Sequence, residues 1–240
     1  MPTPVKRSYT SSLRADQARA TRRAIIAAAT ELFVRDGYGP TTVDAIAAAA
    51  GVSRKTVFTS VGGKLECLKL GIDWAVAGDD EDVPLMMRDR IRAQMQVPDA
   101  RAILRDYADM MCDTLSRSAR LTQALYDAAG LDPSIRALRD AFEQQRVLGM
   151  TNLAQHLDLR GALRRDVSVG EAANILCLQH PTYYPLVVLH GWTHARYIAF
   201  VADTVTHALI RPDYEPKPLP RTKRAAEIGV DTTRLPASPR

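Results

Sequence analysis

The sequence predicts an all-α protein, with a small N-terminal three-helix domain followed by a larger helical domain. Three observations support this fold class. Apolar residues recur at the three- and four-residue spacing of amphipathic helices along most of the chain. Side chains that cap helix N-termini precede several of these segments. Clusters of Gly, Pro and Asp then separate one segment from the next.

The charge is distributed unevenly along an otherwise ordinary globular composition of 46% apolar and 25% charged residues. Residues 1–64 carry 10 Lys and Arg against 4 Asp and Glu, whereas residues 65–210 carry 15 against 19. Residues 211–240 carry 7 against 4. A basic head on a mildly acidic body indicates a head that binds a polyanion and a body that binds something else.

The three cysteines, Cys67, Cys112 and Cys177, are widely spaced and form no CxxC pair. Such an odd, scattered set is typical of buried, reduced thiols in a cytosolic protein. The N-terminus lacks the apolar core of a signal peptide, and no apolar run approaches the length of about 18 residues that a membrane helix needs. We therefore expect a cytoplasmic protein with no membrane association.

The N-terminal region predicts a polar arm and then a helix. Residues 1–13 contain two prolines and the pair Lys6-Arg7, and we expect them to be disordered. Such an arm either reaches DNA phosphates and the minor groove or is only a solvated tail. The Ala-rich stretch from Ala15 to Arg35 has helical periodicity, and it ends at the breaker-rich residues 36–40.

Residues 41–61 predict two short helices joined by a tight turn. Thr41 is placed to cap the first helix, with Asp44 as the acidic half of a capping box, and Gly51 follows its end. Ser53 is placed to cap the second helix, in which Val57 faces inward. The residues left facing outward are Arg54, Lys55, Thr56, Phe58 and Thr59. This is the pattern of a helix-turn-helix that seats its second helix in a DNA major groove, although any helical hairpin can share its caps and glycine.

The run AAATELFVRDGYGPTTVDAIAAAAGVSRKTVFTSVGGK resembles the N-terminal domain of TetR-type (tetracycline-repressor-type) transcriptional regulators. The shared features occur in the family's order: a helix ending in LF, a Gly-Tyr-Gly loop, T-T-V-x-x-I-A, A-G-V-S, and a recognition helix followed by a lysine. The resemblance implies an all-helical homodimer that binds a palindromic double-stranded DNA operator. It also implies release of that operator when a small molecule occupies the C-terminal domain.

The resemblance assigns roles to individual positions. Thr42 and Lys64 fall where the family contacts phosphates, and Arg54 is the best candidate for reading guanine. Phe58 stands where Tyr is commonest, which removes a phenol donor but leaves a ring that can pack on a thymine methyl group. Gly62-Gly63 loosens the corner before Lys64 and leaves the direction of that side chain open. The predicted DNA-binding set is Thr42, Ser53, Arg54, Lys55, Thr56, Phe58, Thr59 and Lys64.

Beyond Lys64 the periodicity predicts further helices, separated by the acidic break 78–82 and by proline- and glycine-bearing loops. Asp132-Pro133 and Thr193 mark two helix starts. Within the long helix from Pro133, a polar line of Gln145, Gly149, Asn152 and His156 indicates a wet or interfacial face rather than a ligand-binding row. The predicted helices span about 64–77, 99–117, 118–129, 133–157, 168–177 and 193–209.

Two sets of body residues are expected to bind partners, through the family resemblance. Met and Tyr side chains suit a mostly apolar small effector, although each one taken singly fits plain core as well. The predicted pocket comprises Met110, Met111, Tyr126, Met150, Cys177, Tyr183 and Tyr184. The last helix carries a broad apolar face, which either packs within the chain or forms the dimer interface. The predicted interface comprises Tyr197, Phe200, Val201, Thr204, Val205 and Leu209.

The predicted organisation is a disordered basic arm at 1–13, a helix-turn-helix domain at 14–78, an effector-binding and dimerisation domain at 79–211 and a Pro-rich disordered tail at 212–240. The predicted function is a ligand-released, homodimeric transcriptional repressor. The alternatives are a ligand-responsive activator and an architectural DNA-binding protein without sequence choice. An enzyme is disfavoured, because His190 and His194 have a glycine and a cap between them and no acidic third ligand nearby. We expect no metal and no cofactor.

Overall fold

The computed structural model describes residues 7–216, and within them the chain forms nine α-helices, which confirms the all-α class for this part of the chain. Two 3₁₀ turns, Leu85–Met87 and His180–Thr182, and one π-helical segment, Tyr184–Leu189, join some of the helices. The helices are α1 (Arg7–Asp36), α2 (Val43–Ala49), α3 (Arg54–Ser60), α4 (Lys64–Ala77), α5 (Asp89–Gln96), α6 (Ala100–Ala129), α7 (Pro133–Leu159), α8 (Val169–Cys177) and α9 (His194–Leu209).

The first four helices form the N-terminal domain around one apolar cluster. Phe33 of α1, Ile46 of α2, Val57 of α3 and Leu68 of α4 are all fully buried in it. Helix α1 runs antiparallel to α4, since Arg19 in the first half of α1 bonds to Asp80 just beyond the end of α4, whereas Lys64 at the start of α4 bonds to Gly39 just beyond the end of α1. The start of α1 therefore lies at the opposite end of the domain from α3.

The N-terminal arm is shorter than predicted. Helix α1 begins at Arg7, so residues 7–13 are helical, and residues 1–6 lie outside the described part of the chain. Residues 7–20 contain no Gly or Pro, and extending an existing helix adds one hydrogen bond for each residue ordered. The predicted contact of the arm with DNA concerns residues outside the described part of the chain.

Helix α6 is one continuous rod, and the predicted break at Ser118 is wrong. Ser118 is fully buried, and its Oγ donates to the carbonyl of Thr114 at 3.0 Å, which satisfies the hydroxyl inside the helix. At 1.5 Å per residue, the helix is about 45 Å long. Its first half, with Ile103 and Leu115, lies in the body core, and its second half, with Leu121, lies in the core of the N-terminal domain.

Helices α6 to α9 enclose the second core. The predicted starts at Asp132-Pro133, Ser168 and Thr193 are confirmed, since each of the three N-cap side chains accepts a backbone hydrogen bond from its helix. After α9 the chain turns back, and Tyr214 is buried against α6, where its hydroxyl accepts from the amide of Ala100. The tail is therefore packed as far as Tyr214, beyond the predicted boundary at 212, and residues 217–240 lie outside the described part. Within residues 7–216, no helix has the length and apolar character that a membrane span requires.

Candidate nucleic-acid interface

Thr42, rather than the predicted Thr41, caps helix α2. The Thr42 Oγ1 accepts from the amide of Ala45 at 3.1 Å. Thr41 is buried, and its hydroxyl donates to the carbonyl of Gly37 at 2.8 Å. The cap uses a lone pair of the exposed Thr42 hydroxyl and leaves its hydrogen free to donate outward.

The turn between α2 and α3 is built as the sequence predicts. Gly51 has φ +66°, which a residue with a Cβ adopts only at a cost. The amide of Val52 donates to the carbonyl of Ala47 at 2.9 Å, which closes the end of α2. Ser53 then caps α3, because its Oγ accepts from the amide of Thr56 at 3.0 Å.

Helix α3 presents most of its predicted DNA-facing residues to solvent. Val57 is its buried anchor at 0% exposure, whereas Phe58 is 47% exposed. Arg54, Lys55 and Thr59 are also exposed. Thr56 differs, because it is half-buried and its hydroxyl is hydrogen-bonded to Ser53 Oγ at 2.8 Å. The Thr59 hydroxyl donates within the helix, to the carbonyl of Lys55 at 3.1 Å, so it can offer only its acceptor lone pairs outward. The exposed groups of α3 are thus two cations, one aromatic ring and this hydroxyl oxygen.

Arg54 contacts two neighbours on the same surface. Its Nη1 donates to Asp44 Oδ2 of α2 at 2.5 Å. Its guanidinium carbon also lies 5.6 Å from the centroid of the Phe58 ring. All three side chains are exposed, so the pair and the ring form part of the outer face of the domain.

The ammonium group of Lys64, whose direction the Gly62-Gly63 corner left open, points towards the loop before α2, and its contact with a phosphate stays a prediction. Its Nζ donates to the carbonyls of Thr41 at 2.7 Å and Gly39 at 3.2 Å. It also lies 4.1 Å from the centroid of the Tyr38 ring, and burial lowers the pKa of the amine. The Gly62-Gly63 corner allows this direction, since Gly62 has φ +115°. Lys64 therefore holds the loop that precedes Thr42.

Asp79 and Asp80, in the acidic break after α4, join the two domains. Arg19 and Arg23 of α1 each donate two hydrogen bonds to Asp80, whose side chain is only 5% exposed. Arg88, at the start of the body, donates to Asp79, and this bonding lowers the pKa of the Asp79 carboxyl to about 2. The hydrogen bonds from Arg19 and Arg23 hold the pKa of the Asp80 carboxyl well below its usual range.

The predicted effector residues range from buried in the body core to exposed on its surface. Met111, Met150 and Tyr184 are half-buried and pack on the body core. Tyr183 is buried, and its hydroxyl pairs with His194 Nε2 at 2.9 Å. The remaining predicted residues, Met110, Tyr126 and Cys177, are half-buried or, for Tyr126, exposed. One cleft of about 240 Å³ lies elsewhere, lined by Arg160, Gly161, Arg211, Asp213, Tyr214 and Glu215.

A polar cluster around Arg146 of α7 lies among these effector candidates. Its Nη1 donates to Nδ1 of His180 at 3.0 Å, and its Nη2 donates to Glu143, which also accepts from the hydroxyl of Tyr126. Cys177 lies close enough for Arg146 to act on the pKa of its thiol, which burial raises. Sequence reasoning missed this cluster, for which the only local signal is the Glu143–Arg146 pair at i, i+3.

Four of the six predicted dimer residues are unavailable to a partner. Tyr197, Val201, Val205 and Leu209 are all 0% exposed in the single chain, because this stripe of α9 packs on α6. Phe200 and Thr204 remain accessible on the other side of α9. The Phe200 ring packs edge-on against Trp192 at 5.6 Å, and the guanidinium of Arg196 lies 3.9 Å from the Trp192 centroid. We call Trp192, Arg196 and Phe200 the outer face of α9.

Comparison with known proteins places this helix-turn-helix in a family. Residues 25–69 match the model of the bacterial regulatory proteins of the tetR family. Two regulators of Pseudomonas putida, the HTH-type transcriptional regulator SrpR and the uncharacterized HTH-type transcriptional regulator TtgW, are each 47% identical over 55 residues, or 23% of this chain. That match spans less than half the length of either relative, 41% of TtgW and 26% of SrpR.

Solved structures extend the likeness to most of the fold. NalD, the secondary repressor of the MexAB-OprM multidrug efflux pump in Pseudomonas aeruginosa, has a TM-score of 0.62 and 18% identity, over 82% of this chain and 99% of its own. A protein of Syntrophomonas wolfei assigned to the TetR-family regulators has a TM-score of 0.64 and 18% identity, over 78% of this chain and 93% of its own. The first is named as a repressor and the second as a transcriptional regulator. The N-terminal part of this chain therefore contains a helix-turn-helix domain of the tetR-family type, and the described helices share their fold with solved proteins named as TetR-family regulators.

Proposed function

We propose that this protein is a cytoplasmic, homodimeric repressor that binds a palindromic operator through α3 and releases it when a small molecule occupies the body. The observation that carries the proposal is the presentation of α3. One buried valine anchors the helix, and Arg54, Lys55, Phe58 and Thr59 face outward around it. A short helix held by its neighbours and carrying exposed donors fits a major groove.

Each exposed group of α3 has a use on a DNA surface. Cations contribute sequence-independent affinity by neutralising phosphates, and a guanidinium can read the O6 and N7 atoms of guanine. Arg54 and Lys55 supply these cations, and the exposed Phe58 ring suits a thymine methyl group or a sugar. Thr42 supplies a hydroxyl hydrogen from the start of α2, where the loop beneath it is held by Lys64. Together these groups support both positioning on the backbone and base readout.

The proposed effector combines a mostly apolar body with one polar group. Met111, Met150 and Tyr184 supply adaptable apolar surface. Arg146 and His180 supply polar atoms beside them, and the Nε of Arg146 is buried without a partner among the described residues. The repressor role is proposed by analogy with NalD, which shares the fold and is a repressor by name.

The proposed dimer forms on the outer face of α9. Aromatic residues and Arg are enriched in protein interfaces relative to the rest of the surface. Arg196 and Phe200 of α9, with Trp192 just before the helix, form such a set. The buried stripe of α9 (Tyr197, Val201, Val205 and Leu209), called its inner stripe, stays packed within each protomer. Pairing through the outer face therefore exposes no core residue.

Selection of bound duplexes from random DNA, followed by footprinting, tests the proposal. The expected result is a palindromic consensus whose half-sites lie about 34 Å apart, one turn of duplex. Arg54→Ala should weaken binding to that consensus about 5- to 150-fold and relax one base position. Arg22→Ala, which removes an exposed arginine of α1 outside the helix-turn-helix, is the matched control.

The alternatives give different results in the same experiment. An architectural protein would yield no consensus, and its affinity would follow salt concentration alone. An activator would yield the consensus but would raise transcription from a reporter carrying it. Repression relieved by an apolar compound in that reporter supports the full proposal.

A further inference from the structure

We propose that Asp44 is a specificity-determining residue, which holds Arg54 in its reading position and opposes binding to unspecific DNA. The inference rests on the proposed function, because it concerns how α3 distinguishes one duplex from another. It begins with an ion pair between the two helices of the motif, in which Arg54 Nη1 donates to Asp44 Oδ2 at 2.5 Å.

Helix α2 fixes the carboxylate at this place. Asp44 lies in the first turn, directly after the Thr42 cap and Val43, while Ile46 and Ala47 bury the opposite side of the helix. An acidic side chain in a first helical turn is also favoured by the helix dipole. The carboxylate is therefore attached to a rigid element, whereas a free arginine on a surface samples many rotamers.

The contact leaves the reading edge of the guanidinium open. Asp44 takes Nη1 on one side, and the Phe58 ring lies 5.6 Å from the guanidinium carbon. Within residues 7–216, Nε and Nη2 of Arg54 donate to no acceptor, and these two N–H groups form one edge of the guanidinium fork. That edge can donate to O6 and N7 of a single guanine. Asp44 thus restricts Arg54 without occupying the donors that a base would use.

The same carboxylate penalises binding without sequence choice. It is 64% exposed on the surface that carries Arg54, so it meets the phosphates of any duplex that α3 enters. On the correct site this repulsion is offset by the contact of a positioned Arg54 with guanine. On other sequences no contact with guanine offsets the repulsion between Asp44 and the phosphates. The difference in affinity between the operator and other duplexes therefore increases.

The test is a double-mutant cycle read on two duplexes, the selected operator and a scrambled duplex of equal length. At about 0.1 M salt, Asp44→Asn should tighten binding to the scrambled duplex about fivefold, since one negative charge near the backbone is removed. The ratio of operator to scrambled affinity should fall about five- to tenfold. A selection repeated with Asp44→Asn should lose preference at the base that Arg54→Ala also relaxes.

Three further variants separate positioning from charge alone. In an Arg54→Ala background, Asp44→Asn should change both affinities by the same factor and leave the ratio unchanged. Asp44→Glu should keep the ratio within about twofold of the native protein, because it retains the charge and the acceptor. Glu31→Gln removes an exposed acid elsewhere on the N-terminal domain and should also leave the ratio unchanged.

Failure of this inference is distinct from failure of the proposed function. If the native protein prefers its operator but Asp44→Asn leaves the ratio of operator to scrambled affinity unchanged, Asp44 has no role in specificity. This includes the case in which Asp44→Asn changes both affinities by the same factor while Arg54 is present. If the native protein itself shows no preference between the duplexes, the proposed function fails, and the role of Asp44 fails with it.

Discussion

Two histidines of the body, the buried His156 and the half-buried His180, each accept a hydrogen bond from an arginine. His156 Nε2 accepts from Arg160 at 3.0 Å, and His180 Nδ1 accepts from Arg146 at 3.0 Å. A ring nitrogen that accepts must be unprotonated, and its arginine neighbour repels a second positive charge. Burial, with the nearby arginine as a second cause, lowers the pKa of both histidines to about 4.

These two histidines predict a loss of stability in mild acid. The unfolded chain binds protons at each histidine near pH 6.5, whereas the folded chain does so only near pH 4. Their contribution is therefore complete above about pH 6.5 and is lost as the pH falls towards 4. The free energy of unfolding should fall by up to about 1.4 kcal/mol per pH unit for each histidine in this window.

Urea titrations at several pH values between 7 and 4 measure this slope. His156→Gln keeps an acceptor for Arg160 but cannot be protonated, so its stability should depend less on pH. His207→Gln, at an exposed position of α9, controls for the loss of a histidine. If His156→Gln keeps the full native slope, the proposed neutral state of the buried ring is wrong.

At the scale of the helices, local signals predicted most of the helix-turn-helix and several helix starts in the body. Caps at Ser53 and Asp132 and the left-handed glycine at Gly51 appear where the sequence analysis placed them. These features depend on residues a few positions apart, which a sequence displays directly. For the same reason α3 and most of its exposed residues could be identified without coordinates.

Features decided by distant contacts were missed or misplaced. The sequence of the apolar stripe of α9 would be the same whether the stripe packed on another chain or on α6. Because Tyr197 is fully buried within the single chain, the stripe packs on α6. Lys64 finds its acceptors 23 and 25 residues away, at Thr41 and Gly39. The break at Ser118 was misplaced for a local reason instead, because its hydroxyl donates to the carbonyl of Thr114 four residues earlier, although serine is more often found at caps. In each case the deciding partner is not the one that the local pattern suggests.

Gly71 of α4 marks a point where three helices meet closely. A Cβ added there would lie 2.8 Å from Thr30 Oγ1 of α1 and 3.2 Å from Leu121 Cδ2 of α6. Gly71→Val should therefore destabilise the fold by about 1–3 kcal/mol through overpacking. Gly149 of α7 is the matched control, because nothing lies within 4 Å of its added Cβ.

Gly149→Ala should instead stabilise the protein by about 0.5–1 kcal/mol, through the higher helix propensity of alanine. Chemical denaturation of both variants measures the two shifts, which should have opposite signs. A neutral Gly71→Val would mean that α1, α4 and α6 are not packed as closely as the structure has them.

The Asp80 contact with α1 gives a second prediction at the scale of helices. Asp80→Asn removes the charge that Arg19 and Arg23 share, so the melting temperature should fall and the first half of α1 should exchange its amide hydrogens faster. Asp82→Asn removes an exposed acid two residues away and should change neither measurement. Hydrogen exchange followed by peptide mass spectrometry locates the effect. Equal protection of α1 in both variants would show that the Asp80 contact does not hold the helix.

At the scale of the whole molecule, the two cores are joined by elements that belong to both. Helix α6 passes from one core into the other, and Asp79 and Asp80 bond to arginines of the body and of α1. A change in the body around Arg146 therefore has a continuous packed route to the helices that carry α3. This arrangement suits the proposed release of DNA, in which the separation of two α3 helices matters.

The proposed dimer predicts that a single charge on the outer face of α9 separates the protomers. Phe200→Asp places a carboxylate where Trp192 now packs at 5.6 Å, and an interface centred there should weaken at least about 30-fold. The fold should persist, because Tyr197 and Val201 keep the inner stripe on α6. Sedimentation velocity should then show a monomer at micromolar concentration, and affinity for the full palindrome should fall towards that of a half-site.

Leu131→Asp provides the matched comparison for that experiment, because Leu131 is 92% exposed in the turn between α6 and α7, away from α9. It introduces the same charge at an apolar surface position, and it should leave both the dimer and the affinity for the palindrome unchanged. If Phe200→Asp remains a dimer while Leu131→Asp dissociates, the protomers meet near the α6–α7 turn instead. The two α3 helices would then have a different separation, and the half-site spacing in the selected DNA would have to match that separation rather than the one expected from α9.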